Sequence, residues 1–192
     1  MKRCLFPPLG LALAGMALLA GCSAPAPDLA DAAAPRFDPL AFFAGPSRGE
    51  GGLRILWKAP RPVHVASQGR LGPDKALVLD QRIAEGDKPP RVRRWRIRAI
   101  APDRWAGTLT DARGPVRIEA AGNRLHIAFE GRDGLAYEQW LALSRDGASA
   151  HNILVARRFG FVLGVLDETI RKLPQGQREA AAEPPPGSRV EG

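Results

Sequence analysis

The stretch GNRLHIAFEGRDGLAYEQWLAL, Gly122 to Leu143, decides the fold class. Gly122 and Asn123 open it as a turn, and Leu125, Ile127 and Phe129 then alternate with Arg124, His126 and Glu130. Successive side chains of a strand point to opposite faces, so this period of two gathers the apolar residues on one side of a sheet. Gly131 to Gly134 supplies a second turn, after which Tyr137, Gln139, Leu141 and Leu143 share a face. Two such runs joined by a short glycine-bearing turn read as an antiparallel hairpin.

The pattern repeats in both directions. Upstream, Leu53, Ile55 and Trp57 alternate with Arg54, Leu56 and Lys58; Val63, Val65 and Ser67 follow a Pro-Arg-Pro break, and Leu77 and Leu79 follow Gly-Pro-Asp. Trp95, Ile97 and Ala99 share one face, Trp105, Gly107 and Leu109 the next, and Val116 and Ile118 come after Gly114. Downstream, Arg145, Asp146 and Gly147 turn the chain into Ile153 and Val155. Short period-two segments, about nine of them at roughly ten-residue spacing, predict an all-β antiparallel meander. With no long helix to cover an edge, the sheet is expected to close into a barrel, because closure removes unpaired edges. The last run is open to two readings. Val162, Val165, Leu166, Thr169, Ile170 and Leu173 fit helical spacing, with Pro174 to end a helix, while Gly160 and Gly164 equally suit bends of a closing strand.

The 192-residue chain begins with a different signal. Lys2 and Arg3 precede an apolar run from Leu5 to Leu19 that Pro7 and Pro8 interrupt, too short and broken for a spanning helix of ~20 residues. Charged, apolar and then small residues make a secretory signal over residues 1–21. Leu19, Ala20, Gly21 and Cys22 resemble the lipobox of bacterial lipoproteins. That resemblance implies cleavage before Cys22, acylation of its thiol and new amino terminus, and anchoring of the mature protein to a membrane through acyl chains. Ser23, where retained inner-membrane proteins carry aspartate, implies the outer membrane with the domain facing the periplasm. Residues 22–36, rich in alanine and proline, read as a flexible tether; residues 37–173 form the barrel domain; residues 174–192, with three consecutive prolines, read as a disordered tail.

Removal of the signal takes Cys4 away and lipidation occupies Cys22, so no free thiol is left for a disulfide, a metal or nucleophilic chemistry. The formal charge falls from +8 to +6 with the loss of Lys2 and Arg3. Outside the cytoplasm such a balance points to anionic head groups or envelope polymers rather than nucleic acid, or to a solvated arginine-rich surface.

Four clusters bear on chemistry. Gly45-Pro46-Ser47-Arg48-Gly49 matches G-x-S-x-G, but a nucleophile elbow needs a strand before the serine and a helix after it, and prolines and glycines flank Ser47 instead. It reads as a glycine-rich entry turn into the first strand. His64, His126 and His151 lie on different predicted strands without metal-ligand spacing, so no metal site is expected. In RVRRWRIR, Arg91 to Arg98, inward Trp95 and Ile97 would leave Arg94, Arg96 and Arg98 projecting together from the opposite face. That row either grips phosphates and carboxylates or forms a solvated outer face. Trp57, Trp95, Trp105, Trp140, Tyr137 and Phe129 occupy predicted strand positions, where aromatics fill a small barrel or line a lumen for one apolar ligand.

The order of several motifs is also informative: Phe43-x-Gly45, Arg93-x-Trp95-x-Ile97, Trp105-Ala106-Gly107 leading to Asp111, Gly122-Asn123, Glu138-Gln139-Trp140, and Asn152 followed by Arg158-Phe159-Gly160 and Gly164. Together with the lipobox they resemble a family of bacterial lipoproteins, domain of unknown function 3833. The chain departs from that pattern at Arg158, where lysine is expected, at Trp105, where tyrosine is commoner, and at Gln139, where a second acid is usual. The resemblance implies an envelope location and a lipocalin-like barrel. It also favours a lipid ligand, since relatives are often encoded beside enzymes that modify membrane fatty acids.

The expected protein is therefore an outer-membrane lipoprotein that binds a fatty acid or another apolar or amphiphilic small molecule without catalysis. Candidate ligand-binding residues are Trp95, Trp105, Phe129 and Trp140 in the lumen and Arg94, Arg96 and Arg98 near the mouth. No catalytic constellation and no cofactor is expected. The alternative is a solid barrel whose surface docks a protein or peptidoglycan partner.

Overall fold

The computed structural model describes residues 32–174. The predicted signal, Cys22, the first part of the tether and the tail beyond Pro174 lie outside the described residues.

Ten antiparallel strands follow one another around a closed barrel: β1 (Gly45–Ile55), β2 (Arg61–Leu71), β3 (Leu77–Glu85), β4 (Arg91–Ala101), β5 (Arg104–Leu109), β6 (Val116–Ala121), β7 (Arg124–Glu130), β8 (Ala136–Leu143), β9 (Ser149–Arg158) and β10 (Phe161–Lys172). Each strand pairs with its neighbours in sequence, and β1 closes the ring on β10 from Ser47 opposite Lys172 to Ile55 opposite Gly164. This is the closed antiparallel meander that the alternation predicts, with ten strands where about nine are expected. The hairpin that opened the sequence reading is β7–β8, with Leu125 opposite Leu141 and Phe129 opposite Tyr137.

The ambiguous last run is β10, a strand and not a helix. Its inward positions are Gly164, Leu166, Glu168 and Ile170. A carboxylate at an inward position breaks the apolar alternation and leaves a residual pattern that mimics helical spacing. The glycine-rich segment around Ser47 also differs from expectation, because it lies within β1 and not in a turn before it. Ser47 is buried near the start of that strand, with no helix after it. Trp57, assigned to the first strand by its alternation, stands instead in the β1–β2 turn and is 93% exposed.

One end of the barrel is closed. A strap from Ala32, within the stretch expected to be tether, runs across the β6–β7 turn. Asn123 holds it: the side-chain oxygen accepts from the Ala32 amide at 2.8 Å, and the Asn123 amide donates back to the Ala32 carbonyl at 2.9 Å. Gly122 has φ +57, and a Cβ there would stand 2.4 Å from the Ala32 carbonyl oxygen, so glycine is required twice over. A short helix, α1 (Pro39–Phe43), follows. Asp38 caps it by accepting from the Leu40 amide at 2.8 Å, and Pro39 starts it with a preset φ. Phe37, Phe42 and Phe43 are buried from α1 and its approach, meeting edge to face at 5.2 and 4.8 Å between ring centres. They join Leu77, Leu79, Ile97, Leu125, Leu141 and Ile170 in a solid core that fills the lower half of the barrel. Among the described residues no helix is long and apolar enough to cross a membrane.

Candidate functional site

Above that core the barrel is hollow. A cavity of about 710 Å³ opens at the end bearing the β1–β2, β3–β4, β5–β6, β7–β8 and β9–β10 turns. Its volume lies within the ~300–1,000 Å³ usual for small-molecule sites. One wall is apolar: Leu53 and Ile55 of β1, Val63 and Val65 of β2, Leu154 of β9 and Leu166 of β10. The opposite rim is charged, with Arg91 donating to Asp111 at 2.6 Å and Asp133 accepting from Tyr137 at 2.7 Å. Burial first, and then that bond to Asp133, push the Tyr137 hydroxyl above its ordinary pKa, so it stays a donor.

The floor is polar. Arg93 of β4 has the same inward parity as Trp95 and Ile97. Its Nε donates to Gln81 Oε1 at 2.7 Å, and the same oxygen accepts from the Trp95 indole at 2.8 Å. Gln81 in turn donates to Ser67 at 3.0 Å. From the other side, Glu168 of β10 accepts from Asn152 of β9 at 2.8 Å. Gly49 makes room for it: a Cβ there would lie 1.8 Å from Glu168 Oε1. Burial raises the Glu168 pKa, partly opposed by the Asn152 bond and the positive charge of Arg93. Burial lowers the Arg93 pKa to about 10, with Arg91 adding repulsion and Asp111 and Glu168 opposing it, so the guanidinium remains charged at neutral pH. Gln139 Oε1 and Asn152 Oδ1 are buried without a hydrogen-bond partner within the described protein. Such orphaned acceptors cost ~1–3 kcal/mol each unless something donates to them. The floor thus offers one cation, one easily protonated carboxyl and two unmet acceptors at the base of an apolar wall.

The aromatic and basic residues singled out from sequence divide. Phe129 lines the cavity, stacked on Tyr137 at 5.0 Å. Trp95 and Trp105 are buried in the packed core beneath it, where Trp95 anchors the floor through Gln81. Trp140 is on the outer wall, between inward Gln139 and Leu141, and stacks on outward His126 at 5.1 Å. Arg94, Arg96 and Arg98 do project together, but outward and away from the mouth's interior. Arg94 pairs with Asp80, whose pKa it lowers through a hydrogen bond, and Arg96 pairs with Asp74. A second cavity of about 880 Å³ lies against β1 to β4, lined by outward Arg48, Arg70, Arg82 and Arg94 and by inward Ser47, Ser67, Gln81 and Arg93. It shares Arg93 and Asp111 with the lumen but not the aliphatic wall of Leu53, Val63, Leu154 and Leu166. The three histidines point outward from β2, β7 and β9, His151 against Asp167 at 2.8 Å. Among the described residues no group of three His, Cys, Asp or Glu converges as a metal site.

Sequence reasoning missed Arg93, Glu168, Asn152, Gln81 and Gln139. Arg93 was legible, since it shares parity with two apolar inward residues.

A family model described as "Protein of unknown function (DUF3833)" matches residues 16–172. The chain belongs to this family. No curated protein matches it. Among solved structures it is similar to the S-type phycobiliprotein lyase CPES from Guillardia theta, with TM-score 0.54 and 8% identity, covering 70% of this chain and 90% of that one. It is also similar to a DUF3598-family protein of unknown function from Nostoc punctiforme, with TM-score 0.49 and 9% identity, covering 73% of this chain and 51% of the other. At such identity the lyase shows a shared fold, the lipocalin-like barrel of this DUF3833 chain, and that fold is compatible with holding a small molecule.

Proposed function

We propose that this DUF3833 protein is a lipoprotein, anchored through Cys22 to the periplasmic face of the outer membrane, whose barrel takes up an amphiphile of the fatty-acid or lipid class. The observation that carries the reading is the meeting of an apolar wall with a buried polar floor in one cavity. An acyl chain lies along Leu53, Val63 and Leu166, each buried CH₂ contributing ~0.8 kcal/mol. The head group rests on the floor, where Arg93 donates to an anionic or carbonyl oxygen and Gln139 and Asn152 accept from a hydroxyl or acid proton. Glu168, with its raised pKa, accommodates either partner by keeping or losing its own proton. The fold shared with a protein named as a phycobiliprotein lyase supports a ligand-holding barrel, and the hollow upper half favours this over a solid docking module.

The test is a titration with a fluorescent long-chain fatty acid, competed by unlabelled fatty acids and lysophospholipids. Saturable binding that weakens about tenfold in Arg93→Gln, worth ~1.4 kcal/mol, is expected for a charged hydrogen bond to the head. Absence of saturable binding by any of these amphiphiles overturns the reading.

A further inference from the structure

Among the described residues, five of the eight large apolar side chains that are exposed, including all three aromatics, gather at one side of the cavity mouth; Leu71, Val92 and Ile100 stand elsewhere. Leu56 and Trp57 occupy the β1–β2 turn, Phe159 the β9–β10 turn, and Phe161 and Val162 the first two positions of β10, with exposures of 45, 93, 88, 74 and 41%. The two turns are neighbours across the β1–β10 seam, where the Leu56 amide donates to the Leu163 carbonyl at 2.9 Å. Single exposed apolar residues are ordinary, but five on two adjoining hairpin tips form a patch that water penalises.

The backbone adds an independent observation. Trp57 has φ +60 and Phe159 has φ +50, the left-handed region that bulky residues avoid. Phe159 and Gly160 form a two-residue hairpin loop, both with positive φ, a geometry that favours Asn-Gly. An aromatic at each tip is therefore unfavourable for the backbone as well as for solvation. Neither ring joins the core, and the Arg158 guanidinium lies over the exposed Phe159 ring, 5.4 Å from its centre.

Charge identifies the occupant. No acid occurs between Gly51 and Pro73 or between Asn152 and Leu166, whereas Arg54, Lys58 and Arg158 are exposed on these tips. Apolar rings flanked by cations are what an anionic bilayer surface accepts, with the rings at head-group depth and the cations against the phosphates. The patch is continuous with the lumen's apolar wall, since Ile55, Leu163 and Gly164 line the cavity directly below it.

We infer that the β1–β2 and β9–β10 tips are a membrane-docking edge that seats the cavity mouth on an anionic lipid surface. The inference goes beyond the lumen reading and does not depend on which molecule the lumen holds.

The test uses residues 23–192, which keep the whole described barrel but lack the acylated cysteine, with Trp57→Asn/Phe159→Asn as the variant. Asparagine suits both left-handed positions, so the melting temperature should hold or rise. Co-sedimentation with phosphatidylglycerol vesicles should fall by at least about tenfold in the variant, as expected when two interfacial aromatics are removed. Binding of the unaltered protein should weaken with salt and on phosphatidylcholine vesicles. The lumen-filling variant Gly164→Trp should bind vesicles like the unaltered chain, which separates docking from uptake. Equal vesicle binding by the asparagine variant, or no vesicle binding but a concentration-dependent dimer that this variant loses, overturns the inference; the second result would make the edge a contact between copies.

Discussion

Gly164 offers a direct test of whether the lumen is the binding site. It lines the cavity near the mouth, and a Cβ built there meets the Arg54 carbonyl oxygen at 3.5 Å, Ile55 Cγ1 at 3.7 Å and Ala156 Cβ at 3.9 Å, all ordinary contacts. A methyl group therefore fits at Gly164 without forcing the wall apart, and because the position lines the cavity, Gly164→Ala, →Leu and →Trp should fill the lumen stepwise. One methyl group takes the place of about one ligand methylene, worth ~0.8 kcal/mol or roughly fourfold in affinity. An indole that displaces three or four methylenes removes about 2.5–3 kcal/mol, roughly a hundredfold. Affinity is read by competition against a fluorescent fatty acid, and folding by urea denaturation. The graded loss should come with unchanged or increased stability, because added apolar surface is buried against Ile55 and Ala156. A stable Gly164→Trp protein that binds as tightly as the parent would refute the reasoning and move the ligand out of the lumen.

Other expectations follow from the same geometry. Gly49→Ala drives a methyl group into the Glu168 carboxylate and should cost about 1–3 kcal/mol in urea unfolding, whereas Gly52→Ala, with nothing within 4 Å of its Cβ, should be neutral or slightly stabilising; equal effects would contradict the glycine's role. Because the folded Glu168 pKa lies above the unfolded value of about 4.5, the folded state holds the proton more tightly. Its stability contribution is complete below that value and is lost as pH rises through the folded pKa. Glu168→Gln should therefore gain on the parent over that window and then level off; a stability difference independent of pH would show that the carboxyl is not desolvated. Arg94→Gln/Arg96→Gln should lower stability by less than ~1 kcal/mol, as exposed ion pairs do, and leave fatty-acid affinity unchanged; a large affinity loss would restore the outward row to the site. Cys22→Ser should abolish incorporation of labelled palmitate in a bacterial host, and persistent labelling would contradict lipidation there.

The barrel itself was legible because its alternation is regular: Leu125, Ile127 and Phe129, or Val63 and Val65, read as inward faces without ambiguity. Legibility failed where function or topology interrupts the period. Glu168 occupies an inward position as a carboxylate, and the lost alternation let β10 resemble a helix. Gly49 and Gly51 read as a turn because their strand role, clearance for Glu168 and its backbone, depends on a neighbour far away in sequence. Trp57 followed the alternation of its segment yet lies past the strand's end, whereas Trp140 was counted with the lumen against the parity of Tyr137, Gln139 and Leu141 and faces outward. Parity alone does not say where a strand stops or which of two mixed faces the core accepts. The α1 plug was invisible for a simpler reason: a five-residue helix carries no period, and only its two buried phenylalanines, with Phe37 just before it, mark it.

The most direct measurement is native mass spectrometry of the protein purified from a bacterial envelope, followed by extraction and analysis of any bound lipid. The account predicts one fatty acid or lipid per barrel, lost in Gly164→Trp. An apo mass with no uptake from added fatty acids or phospholipids would contradict it.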